Sequence, residues 1–110
     1  MYKRFAKLAK QILTFSATDT TKSFIINRSG EIPFIRMLVP NFTNVVTATL
    51  TVENGDGDEI WNSGAKAKNA TYLMQMSIPI ATETNTVKVT LSGAAGGTGG
   101  DVLVTVYLEV

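Results

Sequence analysis

The densest group of acids in the chain is Asn54-Gly55-Asp56-Gly57-Asp58-Glu59. Two aspartates on alternate positions of a glycine-bearing turn resemble the start of a calcium loop, because a hard cation takes several carboxylates from flexible backbone. The spacing then fails, since the twelfth position counted from Asp56 is Ala67 where a bidentate Glu belongs. Asn-Gly and Asp-Gly are also hairpin signals, supplying positive φ without strain. Asp56 and Asp58 are therefore weak metal candidates beside a plain turn reading, and no cofactor is expected. Glycoside chemistry needs two carboxyls facing across a cleft, one with its pKa raised by apolar surroundings. Asp56, Asp58 and Glu59 share one turn, while Glu31, Glu53, Glu83 and Glu109 stand singly near turns or strand ends. The sequence holds no His and no Cys, which removes imidazole bases, thiolates, disulfides and the usual zinc sets. No catalytic residue is expected; the chain reads as a non-enzyme.

Two further motifs have a chemical reading and a bland one. Ser92–Gly100 carries five glycines in nine residues, and strings of backbone N–H groups cradle phosphates. A Gly-Lys-Thr ending and a following helix are missing, and Asp101 opens a strand instead. The segment reads as a mobile hairpin tip, or as a loop that orders on meeting a partner. Trp61 and Tyr72 would suit a sugar-stacking platform, which makes a carbohydrate-binding sandwich module the alternative function. Against it, one Trp, three Tyr and five Phe are about what a core of this size uses.

The elements that must position these residues are strands. Val, Ile and Thr contribute 10, 8 and 15 residues, 33 of the 110, and β-branched side chains fit a pleated surface better than a helix. Charged residues are only 17%, fewer than solvent-facing helices need. The clearest strand is Val45–Glu53, where Val46, Ala48, Leu50 and Val52 alternate with Thr47, Thr49, Thr51 and Glu53. Similar runs occupy Lys22–Asn27, Ile32–Val39, Glu59–Trp61, Asn69–Ile78, Thr86–Leu91 and Asp101–Val110, with Pro79 expected to end the Asn69–Ile78 run. Seven or eight short strands with short connections predict an all-β antiparallel sandwich, jelly-roll or immunoglobulin-like, with a small closed barrel as the other option.

The start of the chain is read two ways. Tyr2, Phe5, Leu8, Ala9 and Ile12 fall three or four apart with Lys3, Lys7 and Lys10 opposite, the stripe of a short amphipathic helix over residues 2–13. The competing reading is a frayed start running into a first strand. Residues 1–15 are thus a basic amphipathic arm or first strand, and 16–110 the sandwich domain. Net charge is +1, with four of the cations in the first ten residues. The rest lacks a basic stripe with aromatics between, so direct nucleic-acid binding is not expected. No apolar run reaches the eighteen or so residues of a membrane span, and no signal-peptide core follows the basic start.

Two strands carry apolar residues on both faces. In Ile32–Val39, Ile32, Phe34 and Leu38 oppose Ile35, Met37 and Val39; in the last strand Leu103 and Tyr107 oppose Val102, Val104 and Val106. One sandwich core cannot bury both faces, and surplus apolar surface marks a subunit interface. Phe5, Met37, Leu103 and Tyr107 are the candidate anchors of a homo-oligomer.

Pro40-Asn41-Phe42-Thr43-Asn44, Asp58-Glu59-Ile60-Trp61, Ala67-Lys68-Asn69-Ala70 and the run Val87–Gly100 together resemble small structural proteins from the virion gene clusters of tailed bacteriophages. The resemblance covers roughly residues 20–110. It implies a β-sandwich that decorates the capsid or belongs to the neck or tail, present in several copies. It also implies contacts with capsid, neck or tail proteins, and a virion component made in the host cytoplasm. These phrases are turn and strand vocabulary, so no functional residue carries over by position.

Overall fold

The computed structural model describes residues 5–109. They form eight strands: β1 (Phe5–Phe15), β2 (Thr21–Ile26), β3 (Gly30–Val39), β4 (Thr47–Glu53), β5 (Glu59–Ala67), β6 (Ala70–Ile80), β7 (Asn85–Leu91) and β8 (Gly100–Glu109). Four antiparallel pairs nest inside one another, β4 with β5, β3 with β6, β2 with β7 and β1 with β8. The chain is one long hairpin with its tip at the β4–β5 turn. Rolled up, it also pairs β8 with β3 and β7 with β4. Successive pairs fall in alternate sheets, giving the orders β1-β8-β3-β6 and β2-β7-β4-β5. That is the jelly-roll arrangement of an all-β sandwich, with two separate sheets rather than a closed barrel.

Period-two alternation builds the core. Ala48, Leu50 and Val52 of β4, Val87, Val89 and Leu91 of β7, and Val102, Val104, Val106 and Leu108 of β8 all point between the sheets and are buried. Each Val or Leu so buried stabilises by about 1.5–3 kcal/mol relative to exposure.

Bulges account for the segments whose pattern misled. β1 is extended from Phe5 on, so the helix over 2–13 is not formed in the part described; residues 1–4 lie outside the described residues. The register against β8 slips between Lys7 and Ala9. Leu8 is the extra residue, and it packs on the core. This insertion leaves Lys7 and Lys10 three apart on the same outward face, a helix-like spacing made by a strand. In β3 the register against β6 slips between Ile32 and Phe34, so Ile32 and Ile35 both turn inward. Pro33 sits at that slip, where its missing donor interrupts no regular ladder. Pro79 does not end β6, which runs on to Ile80 as an edge strand. β5 likewise extends beyond Trp61 to Ala67.

Connections 16–20, 40–46, 68–69 and 92–99 gather at one end of the sandwich and are cross-tied. Asn44 donates its backbone N–H to Ala95 and its side-chain amide to Ala94, and Gly96 donates to Ala17. The glycine-rich segment is therefore a fastened corner, not the mobile tip its composition suggested. Its glycines serve close approach: a Cβ on Gly99, at φ +75°, would lie 1.9 Å from the Phe15 carbonyl oxygen. With their N–H groups donated to Ala17 and Gly96, Gly96 and Gly99 hold no phosphate cradle.

Candidate functional site

Antiparallel register decides which side chains share a face. Across the outer side of the β1-β8-β3-β6 sheet, Ile12, Leu103, Leu38 and Thr71 form one row. Lys10, Thr105, Arg36 and Leu73 form the next. Lys7 lies opposite Tyr107, whose ring stacks on Phe34 with centroids 4.4 Å apart. Lys7, Lys10, Arg36, Leu38, Leu103, Thr105 and Tyr107 together line a shallow depression of about 210 Å³. Six large apolar side chains are exposed among the described residues, and Ile12, Leu38 and Leu73 on this face are three of them. Ile12 and Leu73 keep 58% and 61% of their surface in water.

Among the described residues, the cations on this face have no carboxylate partner. The two ion pairs among the described residues are Lys22–Asp19 and Lys88–Glu53. Acids of the same face stand at its ends, Asp101 opposite Thr14 and Glu31 opposite Glu109. Glu31 accepts a hydrogen bond from the Ser77 hydroxyl at 2.7 Å. Lys7 and Lys10 on β1 and Arg36 on β3 flank β8, and only the rolled topology brings Arg36 to the two lysines. The one local trace is Arg36, a charge inside an apolar strand.

The sequence-derived candidates divide. Leu103 and Tyr107 lie on the outer face, half-buried, within the depression. Met37 does not: it is 0% exposed, on the inward side of β3 between the sheets. It is core, because the bulge at Pro33 leaves Ile35, Met37 and Val39 as the inward set. Phe5 stands opposite Glu109 at the far end of β1, and its side chain is outside the described residues. Trp61 and Tyr72 belong to different sheets and both pack against the core, so they make no exposed stacking platform. The Tyr72 hydroxyl instead donates to the Ala67 carbonyl at 2.7 Å. Asp56 and Asp58 sit on the β4–β5 turn with their backbone N–H groups donated to Asn54 Oδ1 at 3.0 and 2.9 Å. No group of three or more acids among the described residues converges to hold a metal.

No protein-family model and no curated protein sequence matches the chain. Solved structures that resemble it include infectious bursal disease virus, Gx strain, at 16% identity and a TM-score of 0.39, over 99% of this chain and 32% of that one. The VP2 subviral particle of the same virus gives 14% identity and 0.35, over 99% and 32%. Dimeric latent PorU from Porphyromonas gingivalis gives 9% identity and 0.44, over 99% and 13%. The chain spans a third or less of each. Overlaps of this size leave function to be argued from the chain's own residues.

Proposed function

We propose that the chain is a non-enzymatic structural subunit of a virion, of the tailed-phage kind its sequence resembles, placed as capsid decoration or in the neck or tail. The observation that carries this reading is the outer face of the β1-β8-β3-β6 sheet, with three unpaired cations over an apolar floor on a two-layer scaffold. A water-facing surface gains nothing from exposed Ile12, Leu38 and Leu73, whereas a contact surface combines an apolar centre with a charged surround. Leu103 and Tyr107 serve as anchors and Phe5 as a third, their role being contact alone. Partners are other copies of the chain and the capsid, neck or tail proteins; nucleic acid and membrane are not among them.

Co-sedimentation of the purified chain with purified phage capsids or tails tests the assignment. Binding should saturate, and Tyr107→Ala and Leu103→Ala should weaken it while the strand signal in circular dichroism is kept. A chain with no affinity for such particles and no self-association would overturn the reading.

A further inference from the structure

We infer that the basic face takes a second copy of this chain, and that the part it takes is the acidic β4–β5 turn. The inference rests on the structural-subunit reading and names its partner. Face-to-face pairing would set Lys7, Lys10 and Arg36 against their own copies, and like charges in a contact oppose it. The complementary surface lies at the tip of the long hairpin, where Asp56, Asp58 and Glu59 are all exposed. Glu53 nearby is already held by Lys88 at 3.0 Å, leaving those three carboxylates to meet three cations. An apolar element sits among them. The β4–β5 register slips between Val52 and Glu53, which leaves Ile60 with no residue opposite and 38% exposed.

Shape and rigidity agree with charge. The depression of about 210 Å³ is smaller than the 300 Å³ or so of small-molecule pockets, and it suits one inserted side chain such as Ile60. Asn54 Oδ1 holds the N–H groups of Asp56 and Asp58, and Gly57 N–H donates to the Asn54 carbonyl at 3.0 Å. A turn already held in shape loses little freedom on docking. Turn and face lie on different parts of the molecule, so each copy offers one and receives the other. Such a heterologous contact closes into rings or extends into filaments.

Charge reversal decides it. Lys7→Glu/Lys10→Glu/Arg36→Glu and Asp56→Lys/Asp58→Lys/Glu59→Lys should each be monomeric by light scattering at concentrations where the native chain associates. An equimolar mixture of the two should recover assembly, because every contact is then again between opposite charges. Ile60→Ser, a single change at an exposed position, should weaken native association at least about tenfold, as loss of a central anchor does. Raising salt should weaken it further. Circular dichroism checks that each variant folds. A native chain that stays monomeric up to about 1 mM, or a turn-reversed variant that associates as well as the native chain, overturns the inference. In either case binding to purified capsids or tails, measured separately, leaves the structural-subunit reading standing.

Discussion

Outside the β2-β7-β4-β5 sheet, Thr49 and Thr90 lie side by side next to the closed Lys88–Glu53 pair, with Thr86 opposite Glu53. Outside the other sheet, Lys7, Lys10 and Arg36 face outward among Leu38, Leu103 and Tyr107 with no carboxylate of the described residues on them. Both faces are the outward halves of alternating strands over one core, so the scaffold does not explain the difference. Small hydroxyls and a paired charge interact well with water and gain little from any partner. Unpaired cations over an apolar floor leave free energy to be released on contact. One sheet is finished for solvent over most of its outer side, with Ile25 on β2 and Ile60 at the β4–β5 tip the exposed large apolar side chains of its strands among the described residues; the other is finished for a neighbour.

Neighbouring residues of β3 make the sharpest test of that contrast. Met37→Ala, emptying a fully buried site, should cost about 2–5 kcal/mol in urea unfolding. Leu38→Ala, one position on and facing outward, should cost less than about 1 kcal/mol and should lower association instead. Equal costs would mean that the outer face is part of the fold's own stability.

What the sequence makes legible follows from how local each signal is. β4 and β7 are central strands with regular ladders to each other, and their Val and Leu alternation gives both element and buried face. β1 contains an inserted residue, Leu8, and β3 slips register around Pro33 against both neighbours, and one slip reverses the parity on which face assignment depends. That is why β1 imitates a helix and why Met37 looks like surface. Leu103 and Tyr107 are readable as outward from β8 alone. The cations that surround them are not, because β1 meets β8 only as the outermost pair of the long hairpin and β3 meets β8 only through the roll of the chain. The glycine-rich corner hides for a similar reason: its partners, Asn44 and Ala17, are distant in sequence.

On the solvent-finished face one group is out of keeping. The Thr51 hydroxyl is buried beside Lys88 and accepts or donates no hydrogen bond among the described residues. Thr51→Val keeps the shape and removes the unpaired group, so the chain should gain up to about 1 kcal/mol. The measurement is the denaturation midpoint at unchanged slope. Destabilisation would show that the hydroxyl is satisfied by water.

Opening the Lys88–Glu53 pair should do less. Both side chains keep contact with water, 32% and 23% exposed, and pairs of this kind contribute about 0.2–1 kcal/mol. Glu53→Gln should therefore lower stability only slightly and leave self-association and particle binding unchanged. A loss of association from Glu53→Gln would assign a contact role to the face finished for water.

The smallest effect is expected where the chain crosses from one face's sheet to the other's, in the connection between β1 and β2. Asp19 accepts the Ser16 backbone N–H at 2.9 Å and lies 3.3 Å from Lys22 Nζ. The Ser16 hydrogen bond, with Lys22 adding to it, holds the carboxyl below its ordinary pKa. A carboxylate whose pKa is lowered by folding stabilises the fold at pH above its unfolded value, about 3.9. It loses that contribution as pH falls through the folded value. Asp19→Asn keeps an oxygen for the Ser16 N–H and removes the charge facing Lys22. The native chain should thus melt slightly higher than Asp19→Asn near neutral pH, and the gap should shrink to nothing on acidification below the ordinary Asp value. The carboxyl is on the surface, so salt should also narrow the gap. A difference that persisted unchanged into acid would mean that the corner is held by shape and hydrogen bonding alone, with no share from charge.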